Sequence, residues 1–201
     1  MRYRDDTKRL ALLESTLEHV TEHGFSATSV AKIAHGAGVS PGTLYIYHKD
    51  KDGLLEAAFL YACDQLIDTA LAHLDPSLDL RQRLLRTWRA LFQLAIESPR
   101  LFRYHDMFSY SAWMNDALRQ RNDERLAPLL DALVDGQRNG VIKPVGLALL
   151  ESFLFLPIYH LVQCQSCRPF EPTADNIDTA FSMAWDAVAV RVEPSSAESS
   201  S

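Results

Sequence analysis

Residues 28–55 read TSVAKIAHGAGVSPGTLYIYHKDKDGLL, and the spacing inside this stretch decides the fold. Ala34 is followed four positions later by Gly38 and six further on by Leu44, with Val39 and Ser40-Pro41 directly after the glycine. Two short helices joined by a tight turn need this pattern. A small residue at Ala34 lets the second helix cross close by, and Gly38 takes the positive φ of the turn without a Cβ penalty. Val39 and Leu44 fill the wedge between the helices. The stretch is a helix-turn-helix, whose usual use is to lay its second helix in the DNA major groove.

Flanking signals set the local boundaries. Leu10, Leu13, Leu17 and Val20 recur at three- and four-residue steps, so Asp5 to His23 reads as a helix that Gly24 ends and from which Phe25 packs back. Thr28 is placed as the cap of a helix from Ser29 to Gly36. Ser40 caps the next, with Pro41 in its first turn and an end near Tyr47. Asp50 caps a fourth, from Lys51 to His73. On the groove-facing helix the leading residues are Ser40, Pro41, Gly42 and Thr43: small, able to come close to DNA, with one hydroxyl and methyl for a base edge. Tyr45, Tyr47 and His48 stand on its flank, where a phenol or imidazole bonds phosphate. Lys49 and Lys51 supply charge, and Thr28 and Ser29 lie at the start of the preceding helix. None is an Arg or Gln that reads a base with two bonds, so phosphate contacts and DNA shape carry much of the expected recognition.

These residues resemble the N-terminal DNA-binding domain of the TetR family of transcriptional regulators. The resemblance rests on Thr28, Ile33-Ala34, Ala37-Gly38-Val39-Ser40, Gly42-Thr43-Leu44-Tyr45-Ile46-Tyr47 and Lys51-Asp52-Gly53-Leu54-Leu55, about 30 residues. His48 departs from the pattern, which has Phe there. The resemblance implies a homodimer built through two C-terminal helices, here 145–164 and 173–192, and a small organic effector in a pocket of the second domain. It further implies repression that ends when the effector reorients the two DNA-reading units. Activation is the alternative outcome.

The rest of the chain fits an all-α fold. Helices are expected over Asp79–Glu97, Pro99–Phe108, Ser111–Asn139, Val145–Cys164 and Thr173–Val192, and no segment alternates with period two. Residues 1–50 read as the DNA-binding domain, 51–192 as the helical effector and dimerisation domain, and 193–201 as a disordered tail. Formal net charge is −6 over 201 residues. Residues 1–52 are neutral, with seven Lys/Arg against seven Asp/Glu, so the acidity belongs to the second part. No signal peptide and no membrane-spanning run are expected, since the longest apolar segment, Val145 to Val162, holds Glu151, Pro157 and His160. The location expected is cytoplasmic.

In the second domain Trp88, Phe92, Phe102, His105, Phe108, Trp113, Phe155 and Tyr159 are candidates to line the pocket. His105, Asp106, Trp113 and Tyr159 combine polar tips with aromatic surface, which suits an amphipathic organic ligand. Aromatics at helical spacing also serve as plain core. Glu151 faces a pocket, a dimer seam or solvent. Cys164 and Cys167 form a C-x-x-C that is either two incidental thiols or a thiol- or metal-responsive switch, with His160 one turn before it. No nucleophile elbow, phosphate-cradling glycine loop or His-Glu-x-x-His motif occurs, and neither catalytic residues, a cofactor nor a bound metal is expected.

Overall fold

The computed structural model describes residues 2–163 and 169–191, with side chains from Asp6 onward. Among these residues the fold is all-α, and its only strand-like feature is an isolated bridge between Ile142 and Ala189. Helix α1 (Arg2–Ala27) packs on α2 (Val30–Gly36), α4 (Lys51–Ala72) and α6 (Pro99–Ser109), and α3 (Pro41–Tyr47) packs on α2. Helix α4 runs on into the second half, where it meets α5 (Leu80–Glu97) and α7 (Asp116–Arg138). Helices α8 (Leu147–Leu154), α9 (Leu156–Gln163) and α10 (Ala174–Val188) complete the bundle, α10 against α8 and α5, and α9 against α5 and α6.

Local chemistry explains most boundaries. Ser40 Oγ accepts from Thr43 N at 3.2 Å, and Asp50 Oδ1 accepts from Gly53 N at 2.8 Å, so α3 and α4 begin where side chains satisfy their first free N–H groups. The end of α2 is a Schellman turn: Val39 N donates to Ala34 O at 2.9 Å and Gly38 N to His35 O at 3.0 Å, with Gly38 at φ +67°. Gly24, at φ +79° and ψ 167°, breaks α1 internally, as expected of the glycine after His23.

Several boundaries differ from the sequence reading. Ser29, not Thr28, caps α2, its hydroxyl accepting from Lys32 N at 3.3 Å. Thr28 turns inward and donates to Gly24 O at 2.8 Å. The expected Ser111–Asn139 helix starts only at Asp116, because Asn115 Oδ1 accepts from Leu118 N at 3.0 Å and Ser111 Oγ donates to Phe108 O at 2.7 Å, holding a turn before it. The expected Val145–Cys164 helix is two helices broken at Phe155. Pro157 has no N–H to donate to Phe153 O, and its ring crowds that carbonyl. Helix α10 ends at Val188 rather than Val192, since Val190 N donates to Val141 O at 3.0 Å and Lys143 N to Val188 O at 2.8 Å. The C-x-x-C of Cys164 and Cys167 and the tail 193–201 lie outside the described residues.

Two apolar clusters hold the chain together. The first joins Leu12, Leu17, Val20, Ile33, Leu44, Leu54 and Leu55 to Phe59, Tyr104 and Phe108, so α6 completes the core beneath the helix-turn-helix. The second gathers Trp88, Phe92, Leu133, Leu150, Ile158, Phe181 and Trp185 around α5, α8, α9 and α10. Full burial of a large apolar side chain is worth about 1.5–3 kcal/mol, which is why helices as short as α2 and α3 persist.

Candidate nucleic-acid interface and inner cavity

Helix α3 shows one face to the core and one outward. Leu44 is buried, while Pro41, Gly42, Tyr45 and Ile46 are exposed and Thr43 is partly so. Tyr45 is 57% and Ile46 77% exposed, an unusual pair of large side chains to leave in water on so short a helix. Ile46 was missed as a contact candidate. Its signal was the i, i+3, i+4 pattern that places it opposite Leu44's buried face. Ser40 Oγ and Thr43 Oγ1 are 2.9 Å apart and hydrogen-bonded, so part of the hydroxyl surface at the helix start is held by its own cap. Ser29 and Lys49 are exposed.

Four other candidates are held wholly or partly by the fold. Thr28 is 3% exposed and bonded to the backbone, so it has no face toward DNA. His48 is 9% exposed at the C-cap of α3, where the resemblance expects an apolar anchor. It fills that anchor position rather than a phosphate-facing one, and its Nε2 has no hydrogen-bond partner. Burial first, and Arg9 second, hold its imidazole below the usual histidine range. Lys51 Nζ donates to Phe25 O at 2.7 Å, committing one of its three N–H groups to the backbone beyond Gly24. Tyr47 is partly buried and packs on the first core.

Phe25 links this unit to the second half. Its ring centroid lies 5.0 Å from Trp113, 6.0 Å from Tyr104 and 6.2 Å from Phe108. Trp113 Nε1 donates to Asp52 Oδ1 at 2.9 Å, in the first turn of α4. Phe108 stacks on Phe59 at 4.3 Å, and Phe59 stacks on His105 at 5.6 Å. His105 faces a half-open cavity of about 470 Å³ lined by residues of α4, α5, α6, α7, α8 and α9. An unbroken run of rings therefore leads from the cavity wall to the end of α1, just beyond Gly24.

Of the expected pocket residues, Phe102, His105, Phe155 and Tyr159 line this cavity. Trp88 and Phe92 do not, being 1% and 0% exposed inside the second core. Phe108 belongs to the first core and Trp113 to the Phe25 cluster. Helix α6 turns Tyr104 and Phe108, four apart, to one side and Phe102, His105 and Asp106 to the other, a distinction that spacing alone does not assign. Asp106, named with His105 and Tyr159 for its polar tip, stands in the wall; the sequence reading overlooked Asn122, Cys63 and Ser109, which line it too, and left open Glu151, which also does.

Burial shapes the chemistry of that wall. It lowers His105, so the imidazole is held toward its neutral form. It raises Glu151, with Asp123 adding repulsion, and it raises Tyr159, with Asp106 acting in the same direction. The Cys63 thiol is pushed up to about 12, mainly by burial, and accepts from Asn122 Nδ2 at 3.3 Å, which makes it an inert wall element. Outside the wall Asp64 of α4 binds Arg121 at 2.8 Å and also Arg125 of α7, which reaches Asp68 as well. Among the described residues, no helix is long and apolar enough to cross a membrane.

The family model described as "Bacterial regulatory proteins, tetR family" matches residues 12–58. The HTH-type transcriptional regulator BetI of Yersinia pestis (strain Pestoides F) is 32% identical over 127 residues, 54% of this chain, and the chain covers 64% of that relative, just under two thirds. BetI of Escherichia coli O139:H28 is 30% identical over 155 residues, 63% of this chain and 80% of the relative. The crystal structure of a TetR family transcription regulator from Marinobacter aquaeolei VT8 is 54% identical, covers 95% of this chain and 100% of its own, and superposes with a TM-score of 0.91. A putative tetR family regulator from Shewanella sp. PV-4 is 26% identical, with a TM-score of 0.79 over 92% of this chain and 99% of its own. With its helix-turn-helix on one side and its helical, cavity-bearing half on the other, this chain belongs to the TetR family of transcriptional regulators.

Proposed function

We propose that the protein is a dimeric, effector-released repressor, in which residues 1–50 read operator DNA and residues 51–192 bind the effector and the second subunit. The carrying observation is the ring path from His105 through Phe59 and Phe108 to Phe25, which joins the cavity to the turn that seats α4 beside the reading helix. Gly42, Thr43, Tyr45 and Ile46 present the reading surface, with Ser40 and Pro41 at its edge and Ser29 and Lys49 reaching phosphate. Ile46 and the Thr43 methyl suit a thymine methyl.

One seven-residue helix reads few base pairs, so useful affinity needs two copies in successive major grooves, about 34–36 Å apart. Leu149 and Phe153 of α8, Leu156 of α9 and Met183 of α10 are exposed large apolar residues at 46–70%, and a second copy covering them forms a four-helix seam. An effector that packs better against one arrangement of α6 shifts the dimer toward a spacing that no longer fits DNA. Its leverage is its difference in affinity between the two states. Fluorescence anisotropy on a labelled fragment of the protein's own promoter tests this reading. Binding should weaken steeply with salt, and a cavity ligand should release the fragment. Absence of salt-sensitive binding to any promoter fragment refutes it.

A further inference from the structure

The cavity's charges are one-sided. Among the described residues that line it, the ionisable carboxylates are Asp106 and Glu151, and there is no lysine or arginine. Arg121 and Arg125 bind Asp64 and Asp68 from outside the wall, and Arg103 acts on Tyr159 without lining the cavity. Asp106 lies close enough to Tyr159 to act on its hydroxyl electrostatically. Glu151 has no hydrogen-bond or ion-pair partner among the described residues, although its helix position turns it into the cavity beside Ser152, Phe155 and Tyr159. The His105 ring, flat on Phe59, likewise has no side-chain partner there. Most of the remaining wall is apolar, with Leu66, Ile67, Leu91, Leu126, Leu129 and Ile158, and Ser109, Asn122 and Ser152 are neutral.

We propose that this cavity takes an organic cation with an apolar body, its charged head against Glu151 and its tail along the leucine-rich wall. The proposal rests on the effector-responsive reading above. A partly desolvated carboxylate without a partner is costly, and a bound cation supplies the missing charge. A carboxylate or phosphate ligand would instead enter beside Asp106 and Glu151 with no countercharge in the wall. The faces of Phe102, Phe155 and Tyr159 further favour a cationic head over a neutral one. The volume suits a small amphiphile.

Calorimetric titration of the full chain at pH 8 with octylammonium, octanol and octanoate compares three heads on one tail. Octylammonium should bind at least about tenfold more tightly than octanoate, a difference read directly from the dissociation constants. Glu151→Gln should lower octylammonium affinity about tenfold and leave octanol within about twofold. The three-probe comparison on the unmodified protein stands whether or not the variant folds. Octanoate binding as tightly as octylammonium overturns the inference, as does a folded Glu151→Gln protein that keeps full affinity for the cation, since the cation is then held elsewhere. Operator release measured with the same probes separates the two claims. Tight cation binding without release upholds the charge assignment and refutes effector control, whereas release by octanoate or octanol alone does the reverse.

Discussion

Lys51→Ala separates a structural lysine from a DNA-contacting one. Lys51 Nζ donates to Phe25 O at 2.7 Å, tying the start of α4 to the chain just after Gly24. A hydrogen bond from a charged donor is worth about 1.5–3 kcal/mol. Lys51 is only partly buried, so water replaces some of that, and about 1–2 kcal/mol is the expected loss. For a chain of this size each kcal/mol moves Tm by about 2–4 °C, so the variant should melt about 2–8 °C lower by circular dichroism, without DNA and at fixed protein concentration. Its salt dependence of operator binding should change less than that of Lys49→Ala, because the ammonium is tethered to Phe25 O rather than free to follow a phosphate. Lys49→Ala is the converse: exposed and without a protein partner among the described residues, it should leave Tm nearly unchanged and make the slope of log K against log salt shallower by about 0.9. Should Lys51→Ala keep its Tm and flatten the slope by about 0.9, the ammonium belongs to a phosphate and this reasoning is wrong.

Three further outcomes follow from the geometry. His48 is buried with a lowered pKa, so the unfolded chain binds its proton more readily than the folded one; its penalty is absent above the unfolded value of 6.5 and grows as pH falls below it. His48→Phe should therefore flatten the fall in Tm between pH 7.5 and 5.5, His105 retaining a share of the same sign, and parallel curves for the two proteins would count against it. A Cβ on Gly36 would lie 2.5 Å from Ser15 Oγ, which donates to Ile33 O at 2.9 Å, so Gly36→Ala should cost about 1–3 kcal/mol. Adding Ser15→Ala should recover part of that loss in a double-mutant cycle, and strict additivity would show that the two positions do not touch. Phe153→Glu, placed on the exposed apolar face of α8, should convert the dimer to a helical monomer in light scattering and abolish operator binding; a persistent dimer moves the seam elsewhere.

The parts of the structure that were legible beforehand are those decided within a few residues. Ser40 reaching Thr43 N, Asp50 reaching Gly53 N and Gly38 at positive φ are short-range choices, so the helix-turn-helix could be placed almost residue by residue. Thr28 and Ser29 mark the limit of that logic. Either hydroxyl can cap α2, and the inward bond to Gly24 O assigns the role to its neighbour. The break at Phe155 was foreshadowed by Pro157, but the long apolar run hid it.

By itself, then, the sequence determined the helical class, the recognition motif and the caps of α3 and α4, because hydrogen bonds over three or four residues and a glycine's backbone freedom need no distant partner. Only the tertiary structure decided which aromatics are core and which wall the cavity. Phe108 and His105 are three residues apart on one helix, yet one is sealed against Phe59 and Phe25 while the other opens inward. It likewise gave Lys51 a backbone carbonyl 26 residues away and left Glu151 facing the cavity without a partner, since neither pairing exists until α1, α4, α6 and α8 have packed.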